Sequence, residues 1–188
     1  MNTGERFANG LIIGRFQTFH LGHEYIVRCG LKVCERVMIY IGSSQESGTE
    51  KNPFSYEVRK DIIQTIFKAE CESGRVIVAP LPDAGLGNNC KWGRYVLQHF
   101  TDDFAACPDV LISGKEERRI SWFDGYADIS ELYVPKILDL SATKMRNALL
   151  EDDEEFFRAN VSEKIWDKYP ALRAGVLASV GNAESASM

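Results

Sequence analysis

Two short stretches of the chain concentrate side chains that can hold a polyphosphate. In LIIGRFQTFHLGH, residues 11–23, Gly14 closes an apolar run, and Arg15, His20, Gly22 and His23 follow it closely. Each imidazole can hydrogen-bond a phosphate oxygen, the Arg15 guanidinium is a planar cation suited to phosphate, and Gly22 lets the backbone approach a ligand. The histidines stand three residues apart at the start of a helical stretch, where free N–H groups and a partial positive charge attract anions. By itself an H-x-x-H spacing also fits a surface helix cap or an incomplete metal pair. The second stretch, DLSATKMR, residues 139–146, offers the hydroxyls of Ser141 and Thr143 and the cations of Lys144 and Arg146 at the N-terminus of a late helix. Thr143 and Arg146, three apart, share one helix face and could grip outer phosphates from the side opposite the histidines. The plain alternative is an N-cap followed by a solvated basic face.

Positioning the two stretches calls for a frame of alternating strands and helices. Short β-rich apolar runs at Leu11–Ile13, Arg36–Ile41, Arg75–Ala79, Val110–Ile112 and Leu132–Val134 are separated by stretches with helical spacing. The pattern predicts an α/β fold: a Rossmann-like, doubly wound parallel sheet of five strands with helices on both faces. Helical stretches are expected over Gly22–Cys34 and Ser55–Cys71, around Trp92–Phe100, after an N-cap at Ser141, and around Phe157–Trp166. In such a sheet ligands gather at the carboxyl ends of the strands, where the histidine segment lies. Residues 1–173 read as one domain. From Ala174 the chain thins to small and polar residues, and 174–188 reads as a mobile tail.

Composition narrows the class. With 188 residues, 45% of them apolar and 26% charged, the chain has the make-up of an ordinary globular domain. Its formal charge of -5 argues against a nucleic-acid partner, which usually meets a basic face. The five cysteines form no C-x-x-C pair, so they read as reduced thiols. No apolar run reaches the roughly 18 to 20 residues that span a bilayer, and the start MNTGERFANG lacks the order of a secretory signal. A cytoplasmic protein without membrane partners is expected.

GRFQTFHLGH after a strand closely resembles the phosphate-binding segment of the nucleotidyltransferase superfamily, which carries H-x-G-H or T-x-G-H there, and LSATKMR resembles its second motif, I-S-x-T-x-x-R. Within the superfamily the chain is most similar to nicotinamide-nucleotide adenylyltransferases of the archaeal type, also found fused to Nudix domains in bacteria. The likeness runs to about Tyr169 and takes in IGSSQESGTEKNPF at 41–54, Arg59, PDAGLGNNCKW at 82–92 and ISG at 112–114. The resemblance implies magnesium-ATP and nicotinamide mononucleotide (NMN) as substrates, NAD as product and a homo-oligomer. Residue by residue it assigns Arg15, His20, His23 and Arg146 to the ATP phosphates, with Ser141 and Thr143 at the helix start and Gly14 and Phe16 in the same ATP-binding segment. His20, His23 and Arg146 are the catalytic candidates. Trp92 would stack on the nicotinamide ring, with Asp83 and Asn89 orienting its carboxamide or the ribose; an amphipathic-helix core tryptophan is the plain alternative. No protein metal site is expected; magnesium comes with ATP.

The chain departs from the pattern at three places. Lys51 stands before Asn52-Pro53-Phe54, KEERR follows Ser113-Gly114 where a neutral continuation is usual, and Thr18 replaces the proline of GRFQP. Rival readings are a same-fold enzyme with another acceptor (nicotinate mononucleotide, phosphopantetheine or glycerol phosphate), a class I aminoacyl-tRNA synthetase core, and a non-catalytic ATP or NAD sensor. GRFQ argues against the other acceptors. Chain length and charge argue against the synthetase, and the intact His20, His23 and Arg146 against a dead enzyme.

Overall fold

The computed structural model describes residues 6–87, 90–114, 122–126, 128–136 and 138–185. Five parallel strands form one sheet: β1 (Phe7–Gly14), β2 (Cys34–Gly42), β3 (Val76–Leu81), β4 (Val110–Ser113) and β5 (Ser130–Tyr133), in the spatial order β3-β2-β1-β4-β5. The five expected strands are these five. The chain winds outward from β1 in one direction through β2 and β3, then returns to the other side of β1 for β4 and β5. That reversal leaves a crevice at the carboxyl ends of β1 and β4, the place where open α/β sheets bind ligands.

Side chains alternate between the two faces with the strand period of two. Ile12, Val37, Ile39 and Ile41 point to one face and join Val27 of α1 (Leu21–Val33), Ile62, Ile63 and Ile66 of α2 (Tyr56–Ile66), and the C-terminal helices. Leu11, Met38 and Tyr40 point to the other and pack with Val96 and Phe100 of α4 (Cys90–Phe104), and with Phe123. Each fully buried aliphatic of this kind contributes about 1.5 to 3 kcal/mol of burial free energy, so both faces of the sheet hold their helices. A short α3 (Lys68–Glu72) links α2 to β3.

Helix ends are set by local chemistry. Ser55 and Ser141 cap α2 and α5 (Ala142–Glu151) by accepting from the N–H groups of Val58 at 3.4 Å and Lys144 at 3.2 Å. Asp152 ends α5 in the left-handed region, and Asp153 caps α6 (Glu154–Asn160). After a 3-10 turn over Glu163–Lys168, α7 runs from Tyr169 to Ser185. The mobile tail expected from Ala174 is corrected here, because the chain continues as helix to Ser185 with Val176 and Ser179 buried. Alanine, one of the small residues that suggested a loose end, is also the strongest helix former. No described helix is long and apolar enough to cross a membrane, and all five cysteines are free thiols.

Candidate active site

A cleft of about 1300 Å³ opens over the carboxyl ends of the strands. Its walls include Gly14, Arg15, Phe16, His20 and His23 after β1, and Gly42, Ser43 and Lys51 after β2. Asp83 comes from beyond β3, Trp92 from α4, and Ser141 and Arg146 from the start of α5. Sequence-distant candidates therefore meet in one space.

His20 is the N-cap of α1, and its ring lies over Gly22, where a Cβ would come within 3.0 Å of the imidazole. That contact is the steric reason for glycine between the two histidines. The rings of His20 and His23 stack with centroids 3.8 Å apart. Nδ1 of His23 accepts the N–H of His20 at 3.4 Å, so the neutral His23 ring carries its proton on Nε2. Phe16, with φ of 53°, lays its ring over Gly14, where a Cβ would approach it within 2.7 Å, and meets His23 edge-on at 5.1 Å. Nδ1 of His20 is buried without a hydrogen-bond partner among the described residues, a group poised for a ligand.

Burial pushes His20 down to about 4, helped by the charge of Lys136. His23 is also held well below the usual imidazole value, first by burial and then by His20. Both rings are therefore neutral hydrogen-bond partners near pH 7. A polyanion between them would raise both values, because it favours the charged form.

Arg146 donates from Nη1 to the carbonyl of Gln17 at 2.8 Å and from Nη2 to Thr143 Oγ1 at 3.4 Å. Thr143 thus orients Arg146 and is not part of the cleft wall, whereas Ser141 lines the cleft while its oxygen caps the helix. Lys144, offered by the same motif, turns aside to Asp139. Burial, then the neighbouring Arg15, lowers the Arg146 guanidinium from its ordinary value.

Trp92, which also lines the cleft, meets Tyr95 at 5.3 Å and Trp122 edge-on at 6.2 Å. Asp83 is fixed through its main chain: the Gln45 side chain accepts from its N–H at 3.0 Å and donates to its carbonyl at 3.2 Å. Tyr95 Oη donates to the Pro82 carbonyl at 3.0 Å. Asn89 and the KEERR segment lie outside the described residues.

Sequence reasoning assigned no role to three residues that shape this site. Arg59 is fully buried, and from α2 it donates to the carbonyls of Arg15 at 3.0 Å, Gly42 at 2.8 Å and Ser43 at 3.1 Å. It ties together the two loops that leave β1 and β2. Burial lowers its guanidinium to about 10, which leaves it charged near pH 7. Gln17 makes a two-point pairing with the main chain of Phe54, both bonds at 3.0 Å. Trp122 adds a second indole to the cleft wall, and Gly93 lets it approach, since a Cβ there would lie 1.7 Å from the Trp122 carbonyl oxygen.

Comparison with known proteins finds relatives along most of the chain. Residues 11–81 match the cytidylyltransferase-like family model. The chain is 40% identical over 113 residues to the nicotinamide-nucleotide adenylyltransferase of Saccharolobus solfataricus, a match spanning 58% of this chain and 64% of that protein. It is 33% identical to the enzyme of that name from Thermococcus kodakarensis over 90% of this chain and 88% of the relative. Among solved structures, a bifunctional NMN adenylyltransferase/ADP ribose pyrophosphatase from Francisella tularensis, complexed with AMP and a manganese ion, superimposes with a TM-score of 0.70 at 20% identity. That match covers 95% of this chain and 54% of the other, so the present chain corresponds in fold to about half of that protein. The chain belongs to the nicotinamide-nucleotide adenylyltransferase family of nucleotidyltransferases.

Proposed function

We propose that this protein transfers the adenylyl group of ATP to nicotinamide mononucleotide, forming NAD and releasing pyrophosphate. The observation that carries the reading is the convergence of His20, His23, Arg15 and Arg146 on one cleft at the switch point of the sheet, in a chain that aligns along most of its length with adenylyltransferases of that name.

An ionised phosphate oxygen of the acceptor attacks the α-phosphorus of ATP in line. The bond from that phosphorus to the bridging oxygen of the β-phosphate breaks, and pyrophosphate departs with the electron pair. The nucleophile is already an anion, so no general base is required and no covalent intermediate forms. Catalysis is then positioning and charge stabilisation. His20 and His23 donate to oxygens of the transferred group, and the N–H groups at the start of α1 face the same charge. Arg15, Arg146 and Lys51 take the outer phosphates. Magnesium enters as part of the substrate, magnesium-ATP; the described residues hold no group of three His, Cys, Asp or Glu that would cage it, and phosphate oxygens are its usual ligands.

At the acceptor end Trp92 and Trp122 offer indole surfaces to the flat cationic nicotinamide ring. Asp83 has one oxygen engaged by the Gly85 N–H at 3.0 Å and would accept from the carboxamide with the other. Cytoplasmic residence, a homo-oligomeric assembly and a role for Asn89 beside Asp83 complete the proposal.

The test is pyrophosphate release from magnesium-ATP with nicotinamide mononucleotide, nicotinate mononucleotide, phosphopantetheine and glycerol phosphate offered in parallel, the product identified by mass. Release fastest with nicotinamide mononucleotide, giving NAD, is the expected outcome. Release only with another acceptor overturns the acceptor assignment, and ATP binding without turnover with any of them overturns the activity.

A further inference from the structure

Lys136 lies on the connection between β5 and α5 and lines the same cleft as His20, Ser141 and Arg146. Its Nζ is 3.2 Å from Oδ1 of Asp139. The other carboxylate oxygen of Asp139 pairs with Lys144, which also donates to the Asp139 carbonyl at 3.1 Å. One carboxylate therefore clasps two lysines, but unequally. Among the described residues Lys144 makes two contacts to Asp139 and stands off the cleft wall, whereas Lys136 makes one to it and lines the cleft. The Asp139 side chain is 82% exposed, and an ion pair that open to water is weak and exchanges readily.

We propose that Lys136 is a further phosphate-binding residue, which leaves Asp139 for the polyphosphate of the bound nucleotide and joins Arg15, Lys51 and Arg146 around it. The proposal rests on the reading of the cleft as an ATP site. Before a nucleotide binds, a fourth cation beside those three adds repulsion, and Asp139 offsets it. A polyphosphate offers Lys136 several negative oxygens in a less exposed setting and displaces the single carboxylate contact. The field of Lys136 already reaches the site, since its charge helps to depress the His20 imidazole.

Binding of inorganic tripolyphosphate, followed by calorimetry on the full chain, tests the proposal without an acceptor; Michaelis constants for ATP and nicotinamide mononucleotide are measured beside it. Lys136→Met should weaken tripolyphosphate about tenfold and raise the ATP constant by a similar factor, with the acceptor constant unchanged. Lys136→Arg should restore most of the loss. Asp139→Asn should bind tripolyphosphate about two- to threefold more tightly, because the competing carboxylate is gone. In Lys136→Met the His20 resonance should titrate at higher pH than in the wild type. The proposal is overturned if Lys136→Met binds like the wild type, if arginine fails to rescue it, or if Asp139→Asn loses affinity as Lys136→Met does. Should tripolyphosphate binding follow these expectations while no acceptor is adenylylated, Lys136 stands and the proposed reaction falls. NAD synthesis with an unchanged ATP constant in Lys136→Met has the reverse meaning.

Discussion

At the proposed phosphate end of the cleft the polar groups that set geometry are buried, and their partners are main-chain atoms of distant segments; at the proposed acceptor end the comparable groups are exposed. Gln17 and Gln45 make the contrast direct. Each uses both atoms of its amide to pair with a main-chain N–H and C=O, Gln17 with Phe54 and Gln45 with Asp83. Gln17 is 2% exposed, whereas the Gln45 pair is open to water. A hydrogen bond in a low-dielectric interior is stronger and costly to break, while one at the surface competes with solvent. Arg59, fully buried, extends the rigid set to the loops after β1 and β2. The division suits the proposed reaction, in which the reacting atoms must be held within fractions of an ångström while the proposed acceptor wall adjusts to a ring.

The largest effect expected from breaking the rigid end is on turnover. His20→Ala should lower kcat about a thousandfold in steady-state assays and leave the Michaelis constants nearly unchanged, because the lost interaction strengthens in the transition state. Arg59→Met removes a buried cation and leaves several main-chain carbonyls unpaired. A loss of about 4 kcal/mol in denaturant unfolding is expected, or about 10 °C in Tm for a chain of this size. Next comes the pH dependence of stability. The folded-state value of His20, about 4, lies below the ordinary 6.5, so between these values the unfolded chain binds more protons. Stability is full above pH 6.5 and falls as pH drops toward 4, by about 3 kcal/mol from this group. His23 acts in the same direction. Urea unfolding of His20→Gln against the wild type across that window should show a flatter profile in the variant.

Changes at the exposed end should be smaller and confined to acceptor binding. Trp92→Ala should raise the Michaelis constant for nicotinamide mononucleotide about tenfold with that for ATP unchanged. Tyr95→Phe, which removes only the hydrogen bond to Pro82, should raise it about two- to threefold. If Tyr95→Phe cost as much as Trp92→Ala, the acceptor wall would be as rigid as the phosphate end and the contrast would fail.

The sequence made some of these features legible and hid others, for physical reasons. Strand cores showed because residues such as Met38–Ile41 are buried on both faces and read as continuous apolar runs. The histidine turn and the start of α5 showed as helix N-termini because the proposed phosphate site needs particular residue types at fixed spacing. Arg59 gave no sign of its burial: beside Glu57 and Lys60 it looks like part of a solvated helix face, and only tertiary packing brings the carbonyls of Arg15, Gly42, Ser43 and Glu46 to it. Lys136 and Trp122 lie on connections without periodicity, so nothing local placed them at the cleft. The contribution of Gln45 depends on the register of the loops after β2 and β3. The helical continuation beyond Ala174 was masked by a composition of small residues that serves helix and loose end alike.

The most direct measurement follows the α-phosphorus. Magnesium-ATP labelled at that atom is incubated with the protein and nicotinamide mononucleotide, and the label is traced among NAD, free AMP and the protein itself. The account predicts label in NAD, unlabelled pyrophosphate, none bound covalently to the protein, and the same product formed about a thousandfold more slowly by His20→Ala. Label retained on the protein, label in free AMP without dinucleotide, or wild-type turnover by the variant would contradict it.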